Sequence, residues 1–238
     1  MSNDFEGIPL EKEGRRLVWN DEFNGNTLDG KKWSNERLMG NNALIYDNSE
    51  KHLCIEDGML HLKVQRAGDT YSLPESVTTK YTMLFKYGYL EMRAKVPYRN
   101  GAWPSFWLKG DTPYLRIEEG RNNWFPETDI FEVFSADSYL VSNLHKWGNV
   151  NGKAVHEQLS TYDNGAKHSY DFTDIDKLND EFHIYGMLWD EHSIKFSVDG
   201  VYYFEANIDS DSIWKTEDYQ YHKNRSLSQS SVFLGNVR

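Results

Sequence analysis

Glu127-Thr128-Asp129-Ile130-Phe131-Glu132 places three carboxylates within six positions, inside a run, Pro126–Phe134, that otherwise reads as a strand. Glu and Asp are poor strand formers, so three of them there call for a reason. In a regular strand Glu127 and Asp129 share a face and Glu132 points away. One β-bulge between 129 and 132 adds a residue and returns Glu132 to that face. The Cα atoms of Glu127 and Glu132 then stand about 13 Å apart, at about 3.3 Å per residue. Two Glu side chains leaning together can close this to the ~5–5.5 Å carboxyl separation of retaining glycoside cleavage. There, one carboxylate attacks the anomeric carbon and the other, protonated, assists the leaving oxygen. Crowded like charges raise at least one pKa and keep that proton available. Asp129 can hydrogen-bond the nucleophile and tune both neighbours. On spacing alone, a solvated acidic strand face or a cation site fits equally well.

The surroundings favour a cleft. In Gly101-Ala-Trp103-Pro-Ser-Phe-Trp107-Leu108 the period of two puts Trp103, Ser105 and Trp107 on one face, with Phe106 and Leu108 on the other. Both faces are bulky, as expected where one meets a core and the other a groove. Trp124 precedes Glu127 by three residues. Each Trp alone reads as core packing; three leading into an acid cluster read as a cleft. Eight Trp, fifteen Tyr and twelve Phe suit both a pleated sandwich and a groove where rings lie on pyranose faces.

The elements that must position these residues are strands. Residues 89–96 alternate, with Leu90, Met92, Ala94 and Val96 on one face, and 194–199 oppose Ile194, Phe196 and Val198 to Lys195, Ser197 and Asp199. Asp57-Gly58 and Asp199-Gly200 each separate two such runs, a hairpin signal. Long helical periodicity is absent; residues 174–181 predict one short helical turn. The expected fold is all-β, a jelly-roll sandwich of two curved antiparallel sheets whose concave face forms the cleft. Without repeats or linkers, residues 1–238 predict a single domain, with 1–15 and 208–227 as polar, loop-like segments.

Composition excludes several classes. A net charge of −11 argues against nucleic acid and anionic membranes as partners. The lone Cys54 forbids an internal disulfide, and eight scattered His argue against a transition-metal site. Asp174-Ile-Asp176 resembles the start of a calcium loop but lacks the Gly its turn needs. No hydrolase elbow, zincin motif, P-loop or dinucleotide fingerprint occurs. No signal peptide or membrane-length apolar run is present, so the expected location is extracellular if a leader is removed and cytoplasmic otherwise. A monomer is expected.

In order along 17–206, Asn20-Asp-Glu-Phe-Asn-Gly25, Tyr87-Gly-Tyr-Leu-Glu-Met-Arg93, the Gly-x-Trp-Pro-x-Phe-Trp strand, Glu-x-Asp-x-x-Glu and Phe182-His-x-Tyr-Gly-x-x-Trp189 resemble glycoside hydrolase family 16. The resemblance implies a β-jelly roll that cuts a β-linked polysaccharide internally with retention. By position, Glu127 is its nucleophile, Asp129 its assisting acid and Glu132 its acid/base. The two-residue gap before Glu132 is similar to the bulged laminarinase and galactanase branch; lichenases have a one-residue gap. Asn41-Asn42-Ala-Leu-Ile-Tyr46 resembles a laminarinase segment whose Asn reaches the sugar, here Asn42. His145 matches a cleft His, Trp103 a stacking Trp near the scissile bond, and Trp124 another cleft Trp; Trp107 is either cleft or core. The implied substrate is a β-1,3- or β-1,3/1,4-glucan, with a red-algal galactan, or glycan binding without turnover, as alternatives. No cofactor is required. The family can hold a structural calcium, but the sequence stops before the family's last strands, where an acidic ligand for it would stand.

Overall fold

The computed structural model describes residues 11–12, 14–37, 43–97, 102–110, 121–133, 140–150, 153–160, 181–207 and 230–235. Their regular structure is entirely β. The larger sheet has seven strands in the spatial order Lys153–Ser160, Leu140–Val150, Arg121–Val133, Ser105–Gly110, Ser230–Gly235, Ser76–Thr78 and Ser34–Glu36. All of its pairings are antiparallel. The smaller sheet orders Gly88–Ala94, His183–Trp189, Ser193–Val198 and Val201–Asn207, also antiparallel throughout.

The two sheets share one apolar layer. Phe106, Leu108, Ile130, Phe131, Val133, Leu140 and Leu144 come from the larger sheet; Tyr185, Met187, Trp189, Ile194, Phe196 and Val198 come from the smaller. The rings of Phe131 and Tyr185 meet across it with centroids 4.4 Å apart. Burying a side chain of this size stabilises the fold by about 1.5–3 kcal/mol, so this layer fixes which way every strand faces. The jelly-roll expectation is met: two antiparallel sheets face each other across one apolar core.

Both expected hairpins form. Asp57 and Gly58 (φ 53° and 71°) join Leu53–Glu56 to Met59–Leu62, and Asp199 and Gly200 (φ 50° and 79°) join the two strands at 193–207. Paired positive φ is what a type I′ turn demands of both central residues. Residues 89–96 form a strand over Gly88–Ala94, with Leu90, Met92 and Ala94 packed on the core and Val96 buried just past the strand end. One orientation differs from expectation. Ser197, expected outward with Lys195, is buried. A Cβ at Gly186 would lie 2.5 Å from its Oγ and 2.7 Å from the Tyr89 hydroxyl, so the tyrosine reaches across the glycine and covers the serine. The helical turn expected at 174–181 and the Asp174/Asp176 pair lie outside the described residues.

Candidate active site

The site is built on Arg121–Val133 and its two neighbours. Glu127 stands opposite Lys109 and His145, and Asp129 opposite Trp107 and Asn143. The ladder then slips. Between Asp129 and Glu132 the strand advances three residues while Leu140–Val150 advances two, so Glu132 meets Val141 and, on the other side, Ser105. This is the expected bulge at the expected place, with Ile130 the residue without a counterpart on Ser105–Gly110. Its cause is visible in burial. Ile130 and Phe131 are each 2% exposed, so two consecutive apolar residues both sink into the core. A regular strand cannot do this; the extra residue lets it, and turns Glu132 back to the face of Glu127.

Contacts confirm the shared face. Trp103 Nε1 donates to Glu132 Oε1 at 2.8 Å, and Asn143 Nδ2 donates to Glu132 Oε2 at 2.5 Å. Asn143 is the cross-strand partner of Asp129, so one amide links the Asp129 position to Glu132. His145 Nε2 stands 3.0 Å from Asp129 Oδ2, off the line of a hydrogen bond, since that buried oxygen receives none. On its other side His145 Nδ1 lies 2.9 Å from His156 Nε2. Burial, followed by the charges of Glu132 and Glu127, pushes the Asp129 carboxyl well above the usual carboxylate range. Burial, together with the nearby charge of His145, holds the His156 imidazole below its ordinary range.

Of the residues singled out in the sequence, Glu127, Asp129, Glu132, His145 and Trp103 are brought together. Trp107 takes the cleft-side face, half-buried opposite Asp129, while Phe106 and Leu108 sink to 2% exposure on the other. Trp103 is half-buried and tied to Glu132, a link that periodicity does not reveal. Asn42, and the Asn41–Asn42 pair as a whole, lie outside the described residues, as does the side chain of Trp124. Two participants had no sequence signal of their own. Asn143 and His156 become visible only once the registers of Leu140–Val150 and Lys153–Ser160 are known. Among the described residues, Glu127, Asp129 and His145 each offer a ligand atom within 4.8 Å of the others, a metal-competent grouping that scattered histidines did not predict.

Comparison with known proteins agrees with this frame. The family model for glycosyl hydrolases family 16 matches residues 39–232, and the chain belongs to that family. A glucan endo-1,3-beta-glucosidase A1 of Niallia circulans is 29% identical over 217 residues, covering 81% of this chain and 30% of that protein. A beta-glucanase of Rhodothermus marinus is 26% identical over 212 residues, covering 84% and 69% respectively. An endo-glucanase structure from Bacteroides ovatus, of the same family and in complex with an oligosaccharide derivative, superposes with a TM-score of 0.65 at 22% identity, covering 93% of this chain and 86% of that one. The chain spans less than half the length of the first curated relatives it matches.

Proposed function

We propose that this chain is a retaining, endo-acting glycoside hydrolase of β-1,3- or β-1,3/1,4-glucan, with Glu127 as nucleophile, Glu132 as acid/base and Asp129 as assisting acid. The observation that carries the reading is the bulge at Ile130, which sets three carboxylates of one strand on one face. Trp103 and Asn143 each donate to one oxygen of Glu132. They fix its orientation and leave further lone pairs for the proton it must deliver. Glu127 attacks the anomeric carbon as Glu132 protonates the departing oxygen; water activated by Glu132 then cleaves the glycosyl ester. Burial favours the protonated form of Asp129, and in that form it is a donor beside Glu127 that favours departure of the nucleophile as a carboxylate in the second step. The glucanases among the relatives favour glucan over galactan, and the net charge of −11 disfavours sulfated galactans.

Chain-length analysis of products from laminarin, mixed-linkage glucan and agarose tests this. Short oligosaccharides from either glucan are expected, with β-configured reducing ends at first release. Products from agarose alone would move the substrate to the galactans, and α-configured ends would mean inversion, with Glu127 a general base on water and no glycosyl ester formed.

A further inference from the structure

We infer that the same face takes one divalent transition-metal ion, held by Glu127, Asp129 and His145 when no glycan is bound, and that the ion blocks the site. The blocking half rests on the function proposed above; the binding half does not.

The grouping has the parts of a metal centre. One imidazole nitrogen and two carboxylates converge within 4.8 Å, the three protein ligands that a site with one exchangeable position uses. In tetrahedral coordination with bonds of about 2.0–2.1 Å, neighbouring ligand atoms stand about 3.3 Å apart. His145 Nε2 and Asp129 Oδ2 are already at 3.0 Å, so they need open by only a few tenths of an ångström. Asp129 is 3% exposed and its Oδ2, aimed at that nitrogen, receives no hydrogen bond. A cation there neutralises this oxygen in exchange for the carboxyl proton. The outer nitrogen of His145 has the support that ligating histidines have: its Nδ1 lies 2.9 Å from His156 Nε2, and in the tautomer that donates Nδ1–H there the Nε2 lone pair faces Asp129 and the ring is held. Glu132 lies outside the set, engaged by Trp103 and Asn143. A mixed imidazole and carboxylate donor set suits Zn²⁺, Co²⁺ or Ni²⁺ better than Ca²⁺ or Mg²⁺. With a lone pair of Glu127 given to the metal, the carboxylate cannot attack an anomeric carbon, and metal and glycan exclude each other.

Titration calorimetry of the full chain with ZnCl₂, in the absence of any glycan, reads binding directly. One ion per chain is expected. His145→Gln should abolish that site, His156→Ala should weaken it roughly 10–100-fold through loss of its outer support, and His192→Gln, at an exposed position beside Glu191, should leave it intact. Circular dichroism reports whether each variant is folded, and Glu127→Gln, at a less buried position, serves if His145→Gln is not. Co²⁺ absorption in the visible range adds the coordination number, which is expected to be four. Absence of a stoichiometric site up to millimolar Zn²⁺, or a site unchanged in folded His145→Gln or Glu127→Gln protein, overturns the inference. A laminarin oligosaccharide should lower the apparent Zn²⁺ affinity; an ion that binds but is not displaced overturns the blocking half alone.

Discussion

At the scale of single residues, the proposed roles of the three carboxylates can be tested one at a time. Glu127→Gln should abolish turnover, whereas Glu132→Ala should be rescued on a glycoside with an activated leaving group or by added azide; near-normal rates for the Glu127 variant would reverse the assignment. Trp103→Phe keeps a ring but removes the donor to Glu132. A hydrogen bond to a charged group is worth about 1.5–3 kcal/mol, so kcat should fall roughly 10- to 150-fold while stability hardly moves. Asp129 gives a stability prediction with a definite sign. Its pKa is raised in the folded state, so the folded chain binds more protons than the unfolded one, and stability is lost as pH rises from the unfolded value through the folded one. Asp129→Asn removes that loss. Its Tm should exceed the parent's at pH 8 by several degrees and match it more closely at pH 4, while activity falls. The acids and Trp103 were legible because their types are costly in a strand or recur beside one another, whereas His145 was marked only by the family resemblance. Asn143 and His156 were not, because an amide or imidazole on an alternating strand has no distinguishing cost until the register across the ladder is known.

Among elements, the bulge makes a prediction that the alternation of side chains alone would not. Ile130 and Phe131 both face the core, so deleting Ile130 restores strict alternation and keeps Glu127, Asp129 and the shifted Glu132 on one face. The variant should fold, with a loss of about 2–5 kcal/mol for the missing buried side chain, and should retain measurable hydrolysis. Deleting Thr128 instead flips everything beyond it to the wrong face and should leave no folded protein. Thermal melts and product analysis of the two deletions separate these outcomes. The bulge could be placed between 129 and 132 from sequence because an extra residue there returns Glu132 to the face of Glu127. Ser197 could not: the tyrosine covering it lies over a hundred residues earlier, and a polar residue on an outward-facing position is otherwise read as exposed.

For the molecule as a whole, charge is the relevant quantity. A surplus of eleven negative charges repels sulfated or carboxylated polymers beyond direct contact range, and salt screens this within about 10 Å at 0.1 M. Initial rates on neutral laminarin should therefore change little between low and moderate salt, whereas any activity on a sulfated galactan should rise with it. Pull-down on charged and neutral glycan resins across a salt series checks the same expectation. The strand order adds a temporal consequence. Ser230–Gly235 closes the gap between Ser105–Gly110 and Ser76–Thr78, so the sheet carrying the acids stays open along two bare edges until those residues leave the ribosome. At about 5–20 residues per second, that is an interval of roughly 6–25 s after the Trp107 region has been made, during which the nascent chain offers two unpaired edges to any other extended segment. A chaperone that shields strand edges would find its work on this protein there, and slowing translation downstream of residue 110 would lengthen the period of exposure.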